Sequence, residues 1–339
     1  MSLLPKLQVV GKTDTGLVRA GNEDYLHLDS ANNVYAVCDG MGGHQAGEVA
    51  SMTASVTIER AFRKFQKPLL QDEALKLDRT LPAGGDLLLK SIRLANRSIF
   101  SRSVADPGLS GMGTTIVAVA FEADVMSVAH VGDSRAYRLT DRALEPLTRD
   151  HSWLVEMQKS QEMSQEEASS LVAKNVITRA LGVRDTVEVD YRLVKVQPGE
   201  VFILCSDGLC GFADDDEIFE TADKARKDGL RRIADDLVQM ANDRGGSDNV
   251  TVVVIKVEEI KESPIPEVEV FTLGTESPEV LQAEDIWVAK LREAENENED
   301  ETDVGGKTRG RKSLARWLFG IFAIIVVVAS LILYFVWAG

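Results

Sequence analysis

A chain of 339 residues, 44% hydrophobic and 27% charged, is long enough to bury a full core in one large domain or two. Its formal net charge of -16 is uneven: residues 258–306 hold 16 acidic against 3 basic residues, and the mildly acidic body excludes the basic face that nucleic acid requires. The three cysteines, Cys38, Cys205 and Cys210, lack metal-type spacing and exclude a disulfide framework.

In chain order, Tyr25 to Leu28 and Val34 to Asp39 read as strands joined by a turn over Asp29 to Asn33. Helical spacing follows in Gly47 to Phe65, with Val49, Met52, Val56 and Phe62, and in Asp86 to Ser103, with Leu88, Ile92, Ala95 and Ile99. Strands Thr114 to Phe121, Val125 to Val131 and Arg135 to Leu139 succeed one another through short turns, which predicts antiparallel pairing. Ser160 to Lys174 is polar and helix-prone, a candidate surface flap. Strands Val189 to Val196 and Val201 to Cys205, helix Gly229 to Asp243 and strand Val250 to Val257 complete a domain over residues 1–257. Strands at both ends with helices between them suit two packed sheets covered by helices, an α+β architecture.

Residues 258–312 read as an acidic, disordered linker with a basic end, too charged to build its own core, with one short amphipathic helix near Val280 to Leu291. Residues 313–339 read as a C-terminal transmembrane helix. Trp317 to Ala338 contains no charged residue and at about 1.5 Å per residue spans roughly 30 Å. Arg309, Arg311, Lys312 and Arg316 precede it, which places the domain on the cytoplasmic side of the cell membrane as a tail-anchored protein. The start, Met1 to Lys6, lacks the pattern of a signal peptide.

Four aspartates sit at tight breaks beside apolar runs. Asp39, Asp133 and Asp207 end such runs, and Asp248 precedes one. A carboxylate at the mouth of a buried strand is costly unless it meets a cation, so four of them suggest one shared cation cluster. Asp39-Gly-Met-Gly-Gly-His44 is glycine-rich directly after a strand, where the Gly40 carbonyl can itself be a ligand. All these donors are oxygen, so Mg²⁺ or Mn²⁺ fits better than zinc. Paired ions about 3.5–4 Å apart lower the pKa of a water and stabilise in-line displacement at phosphorus. Arg19 has the planar fork that clamps a phosphoryl group; its alternative is a surface salt bridge to Glu23 or Asp24.

Eight ordered motifs carry a resemblance: Arg19-Ala-Gly-Asn-Glu23-Asp24, Asp39 to His44, Gly113-Thr-Thr115, Val131-Gly-Asp133-Ser-Arg135, Asp150-His151, Thr178-Arg-Ala-Leu-Gly182, Ser206-Asp207-Gly208 and Ser247-Asp248-Asn249. In this order the chain resembles the bacterial PP2C-type metal-dependent serine/threonine protein phosphatases, over about Leu7 to Val257. The resemblance implies an α-β-β-α sandwich of two mainly antiparallel sheets with two metal ions between them, Mn²⁺ or Mg²⁺. By position, Asp39 bridges both ions, Asp207 and Asp248 serve the first, and Glu23 and the Gly40 carbonyl serve the second. Asp133 with Asp207 matches the place where some bacterial relatives hold a third. Arg19 matches the phosphate-binding arginine, Asp24 an acid near the metals, and Asn249 lies beside the ligand Asp248. Many eukaryotic relatives have histidine directly after Asp-Gly; here Met41 stands there, and His44 is the candidate to protonate the leaving alkoxide, with a structural hydrogen bond as its alternative. His151 reads as a structural residue tying down the flap.

The implied activity is hydrolysis of phosphoserine and phosphothreonine on cytoplasmic proteins near the membrane, by direct attack of a metal-bridging water. A membrane serine/threonine kinase and its substrates are the matching partners, and no nucleic acid. The alternatives are a catalytically silent scaffold of the same fold and a phosphohydrolase of small phosphate esters.

Overall fold

Two sheets face each other, and every strand pair in them is antiparallel, as the short strand-to-strand steps predict. The computed structural model describes residues 4–42, 45–77, 81–153, 176–263, 270–273 and 277–303, with side chains described to 294. The strands are β1 Lys6–Asp14, β2 Asp24–Asp29, β3 Val34–Met41, β4 Gly113–Thr114, β5 Ile116–Glu122, β6 Val125–Val131, β7 Arg135–Leu139, β8 Leu144–Pro146, β9 Val189–Lys195, β10 Val201–Cys205, β11 Val250–Glu259 and β12 Val270–Leu273. The helices are α1 Gln45–Arg63, α2 Gln66–Leu70, α3 Ala83–Ala105, α4 Asp207–Cys210, α5 Asp215–Arg226, α6 Leu230–Asp243 and α7 Pro278–Asp303. One sheet has the order β1-β11-β10-β7-β8; the other runs β12-β9-β6-β5-β3-β2, with β4 against β3.

Both faces of the central strands are buried, which is why they read as continuous apolar runs. In β10, Phe202 and Leu204 join Tyr35, Val119, Phe121 and Val253 between the sheets. Val201, Ile203 and Cys205 point the other way, onto Ile218 of α5 and Ile233 and Leu237 of α6. This period of two sends alternate residues of one strand into two different cores. Helices α1 and α3 cover the outer face of the β5–β3–β2 sheet. The result is the α-β-β-α sandwich that the motifs imply.

Helix α5 has no counterpart among the expected elements. Its signal was present: Asp214 accepts from the Glu217 amide and Glu217 reaches back to the Asp214 amide, a capping box that the acidic run Asp214 to Glu217 encodes.

Of the range 258–288, the described residues 258–263, 270–273 and 277–288 depart from the expected disordered linker. They belong to the same compact unit as the sandwich, which extends to Val288; residues from Ala289 form a second unit. Strand β12 adds to the sheet edge at β9, with Phe271 against Tyr191 at a ring separation of 5.0 Å. At the start of α7, Glu284 pairs with Arg93 of α3 at 2.6 Å, both about 5% exposed. Arg97 grips Asp285 through Nε and Nη2, and the Trp287 indole N–H donates to Asp72. Composition reads these acids as self-repelling, but arginines of α3 neutralise two of them. The helix near Val280 to Leu291 therefore exists, as part of a longer one.

Among the described residues no helix is long and apolar enough to cross a membrane. The expected span, 313–339, lies outside the described residues, as do the flap over Ser160 to Lys174 and the basic end of the expected linker.

Candidate metal and phosphate site

The site lies where the ends of β2 and β3 in one sheet meet the end of β10 and the start of β11 in the other. Asp24 and Asp39 are directly opposite each other in the β2–β3 register. Asp24 accepts from Ser206 Oγ at 2.7 Å, and that hydroxyl accepts from the Thr251 amide at 3.0 Å. One serine thus stitches the two sheets together beneath the cluster.

The Asp39 backbone is held on both sides. Its carbonyl accepts from the Thr115 amide at 2.8 Å and Thr114 Oγ1 at 2.9 Å, and its amide donates to Thr115 Oγ1. A side chain at Gly40 would overlap the Gly47 and Glu23 carbonyl oxygens, and a Cβ at Gly47 would lie 2.5 Å from Glu23 Oε2. Glycine at both places brings the Glu23 carboxylate, the first turn of α1 and the Gly40 peptide into contact.

Asn249 organises the loop that carries Glu23 and Arg19. Its Oδ1 accepts from the Glu23 amide at 2.8 Å, and its Nδ2 donates to the carbonyls of Thr15 and Gly21, each at 2.9 Å. Arg19 Nη2 donates to Asp248 Oδ2 at 2.8 Å, while the side chain is 52% exposed at the rim. Arg19 is paired with Asp248, and the charge of Glu23 also acts on it.

The electrostatics show how close the acids are. Burial, then the charges of Asp24 and Asp207, push the Asp39 carboxyl well above the ordinary carboxylate range. Burial likewise raises Asp207, which shares a hydrogen bond with Asp39 and feels Asp248. Asp24 is pushed up to about 7, chiefly by burial, against its hydrogen bonds to Thr251 and Ser206. Asp133 is also pushed up to about 7, by burial and the charges of Asp207 and Asp150. The buried Oδ1 atoms of Asp24 and Asp133 have no hydrogen-bond partner among the described residues. Converging carboxylates that repel one another, with buried oxygens left unbonded, fit a bound divalent cation and little else.

A pH dependence follows. In ion-free protein the folded-state values near 7 exceed the unfolded value of roughly 3.9, so between these limits the folded state binds more protons. The stability from these protonated carboxyls is complete below about pH 4 and is lost as pH rises through about 7. Thermal melts in EDTA should therefore fall between pH 6 and pH 8, and the gain on adding Mn²⁺ should be larger at pH 8. A flat EDTA profile over this range contradicts the arrangement.

The structure thus brings together Arg19, Glu23, Asp24, Asp39, Gly40, Asp133, Asp207, Asp248 and Asn249. His44 lies outside the described residues. Three supporting features were not expected from the sequence: the Ser206–Asp24 stitch, the Ser134 Oγ to Thr115 Oγ1 contact at 2.7 Å, and the two-pronged Arg135–Asp150 pair beside Asp133. All lie in the quoted motifs, yet each is a contact across the fold that spacing alone does not reveal.

His151 does tie the flap stems, since its carbonyl accepts from the Thr178 amide, but its ring turns inward. His130, His151 and Asp190 hold donor atoms within 4.8 Å of one another, close enough for a metal. Those donors are already engaged: His130 Nε2 on the Arg149 carbonyl, His151 Nδ1 on the Gly132 amide, and Asp190 on Arg179 and Thr272. Arg179 Nη1, 3.0 Å from Asp190 Oδ1 and 3.4 Å from His151 Nε2, already brings a positive charge to this group.

Comparison with known proteins agrees with this geometry. Residues 18–253 match the family description "Protein phosphatase 2C". A serine/threonine phosphatase stp of Listeria monocytogenes is 36% identical over 248 residues, covering 72% of this chain and 94% of that protein. The serine/threonine protein phosphatase PstP of Mycobacterium tuberculosis is 35% identical over 254 residues, covering 74% of this chain and 45% of that protein. Among solved structures, the catalytic domain of PstP in complex with two manganese ions superposes with a TM-score of 0.62 at 31% identity, over 75% of this chain and 99% of that one. A serine/threonine phosphatase of S. agalactiae gives 0.65 at 32% identity, with 75% and 100% covered.

Proposed function

Since this chain belongs to the protein phosphatase 2C family and is a protein-serine/threonine phosphatase, a phosphoric monoester hydrolase, we propose which residues carry the reaction and where it takes place. Asp39, Asp207, Asp248, Glu23 and the Gly40 carbonyl would hold two divalent ions, Mn²⁺ or Mg²⁺, with Asp39 shared between them, Asp207 and Asp248 on the first and the Gly40 carbonyl and Glu23 on the second. Asp133 with Asp207 would offer a third, weaker place. The observation that supports this most is the convergence of these acids with the unbonded Oδ1 of Asp133.

Bound there, the ions supply a water of lowered pKa and a positive field for the phosphoryl oxygens. The chain's own residues do the rest. Asp24, through Ser206, keeps the two sheets in register under the acids. Asn249 holds the Glu23 loop. Arg19 has N–H groups open at the rim beyond the one on Asp248, and these orient the phosphoryl group of a phosphoserine or phosphothreonine. His44, four residues after Gly40 in the sequence, is the candidate to protonate the leaving side-chain oxygen. Burial holds the Cys38 thiol, and a hydrogen bond with Cys205 followed by burial holds that of Cys210, far above the range of a nucleophilic cysteine.

The charge-free run Trp317 to Ala338 with its basic flank supports a single-pass anchor in the cell membrane, with the phosphatase on the cytoplasmic side. The substrates are then phosphorylated proteins at that membrane, and a membrane serine/threonine kinase is the opposing enzyme.

Arg19→Ala tests the phosphate contact. A charge-assisted forked contact worth about 2–3 kcal/mol corresponds to a loss of roughly 30- to 150-fold in kcat/KM. The loss should appear with a phosphothreonine peptide, with Mn²⁺ affinity within about threefold of wild type. Unchanged kcat/KM contradicts the role.

A further inference from the structure

The expected linker contributes a strand with a polar contact that leads back to the active-site loop. Thr272 of β12 lies directly opposite Asp190 of β9, and its Oγ1 donates to Asp190 Oδ1 at 2.9 Å. The same oxygen accepts from Arg179 Nη1 at 3.0 Å. The second oxygen, Oδ2, lies 3.3 Å from His151 Nε2. On its other side the imidazole accepts the Gly132 N–H at Nδ1, at 3.1 Å. The ring is thus held between the Gly132 N–H at Nδ1 and, at Nε2, Asp190 Oδ2 with Arg179 Nη1 also at 3.4 Å.

The grip on Gly132 is double, because the His151 amide also donates to the Gly132 carbonyl at 2.9 Å. Gly132 has φ +108°, and a Cβ there would lie 2.6 Å from Thr115 Cβ. The loop therefore has no slack against the strand that holds Asp39. Asp133 follows at once, 7% exposed with Oδ1 unbonded. On its far side Arg135 is held by Asp150, the residue before His151. Asp150 and His151 thus clamp the loop on both flanks of Asp133, and only the His151 arm is itself held from the C-terminal segment. Arg179 also lines a cavity of about 600 Å³ with Met41, the residue after Gly40.

We propose that β12 is a built-in positioning strand for the active-site face: Thr272 and Asp190 are positioning residues that hold His151, which sets the Gly132–Asp133 loop. The inference rests on the reading that Asp133 serves the ion cluster. It gives the segment 270–273 a task in the reaction. Partners that hold a ligating group in place typically change metal affinity or activity by about 10- to 100-fold when lost. Thr272, one contact further out, acts less strongly.

The test uses the full-length chain with Thr272→Val, Thr272→Ser and Asp190→Asn, read by Mn²⁺ calorimetry and by kcat and KM on a phosphothreonine peptide. Thr272→Val should weaken the weakest Mn²⁺ step and lower kcat, each roughly three- to tenfold, with KM within twofold. Thr272→Ser, which keeps the hydroxyl, should restore both, and Asp190→Asn should exceed the valine variant. A purely structural role would lower the melting temperature alone; Thr272→Val with wild-type kcat and Mn²⁺ affinity overturns the inference, whatever its stability. If Thr272→Val does not fold, the same two readouts on Asp190→Asn decide it, with unchanged values overturning it. Wild-type protein that binds no Mn²⁺ overturns the site reading and this inference together, which separates the two failures.

Discussion

Asp39→Asn should lower kcat on a phosphothreonine peptide by about a thousandfold or more while leaving the fold intact. The substitution is nearly isosteric, and the Asp39 backbone is fixed by Thr114 and Thr115 whatever the side chain. What changes is charge, at the acid that feels Asp24, Asp207 and Asp133 together. On the proposed assignment of Asp39 as the ligand shared by two ions, its loss removes several kcal/mol of transition-state stabilisation, and about 4 kcal/mol is a factor near 10³. The same substitution relieves like-charge repulsion in ion-free protein. Its melting temperature in EDTA at pH 8 should therefore rise, while the stabilisation by Mn²⁺ shrinks. This opposite movement of stability and activity separates a ligand from a residue that merely supports the fold. A variant that loses both, or keeps its Mn²⁺ response, contradicts the assignment.

Glu284→Ala should destabilise the protein by about 3–5 kcal/mol. Arg93 is as buried as its partner, and removing the acid leaves a guanidinium charge in the interior without its main counterion. Urea unfolding of the full-length chain measures the loss. A change below about 0.5 kcal/mol would mean that the start of α7 rests on the domain without stabilising it. The conservative Glu284→Gln should fall between the two, since it keeps one acceptor but not the charge.

The strands and main helices of residues 1–257 were legible because their burial is periodic. Val34 to Asp39, Val201 to Cys205 and Val250 to Val257 are buried on both faces, and such strands leave long apolar runs in the sequence. Helices α1 and α3 show their spacing within two or three residues of the observed ends. Helix α5 was missed because it buries little beyond Ile218, Ala222 and Ala225, so its apolar stripe is faint; only its cap marks it. The acids of the site stood out because each breaks an apolar run, and all those described converge. Their supports did not, because Ser206, Ser134 and Asp150 are ordinary polar residues until the fold places them.

The docking of residues 270–273 and 277–288 was hidden for a physical reason. Charge counting treats acids as mutually repelling and takes no account of what lies opposite them. Arg93 and Arg97 are a turn apart on α3 and face Glu284 and Asp285, so the acids that argued for disorder are what docks the helix. Thr272 was equally hidden, because a single hydroxyl on a four-residue edge strand carries no pattern of its own.

The most direct measurement is phosphate release from a phosphothreonine peptide by the full-length protein, with Mn²⁺ and with EDTA, beside a nucleotide monophosphate as a small ester. The residue assignments predict release that requires Mn²⁺, is abolished by EDTA, returns when Mn²⁺ is restored, and favours the peptide. Release that persists in EDTA, or folded Mn²⁺-binding protein that hydrolyses no phosphopeptide, would contradict the account.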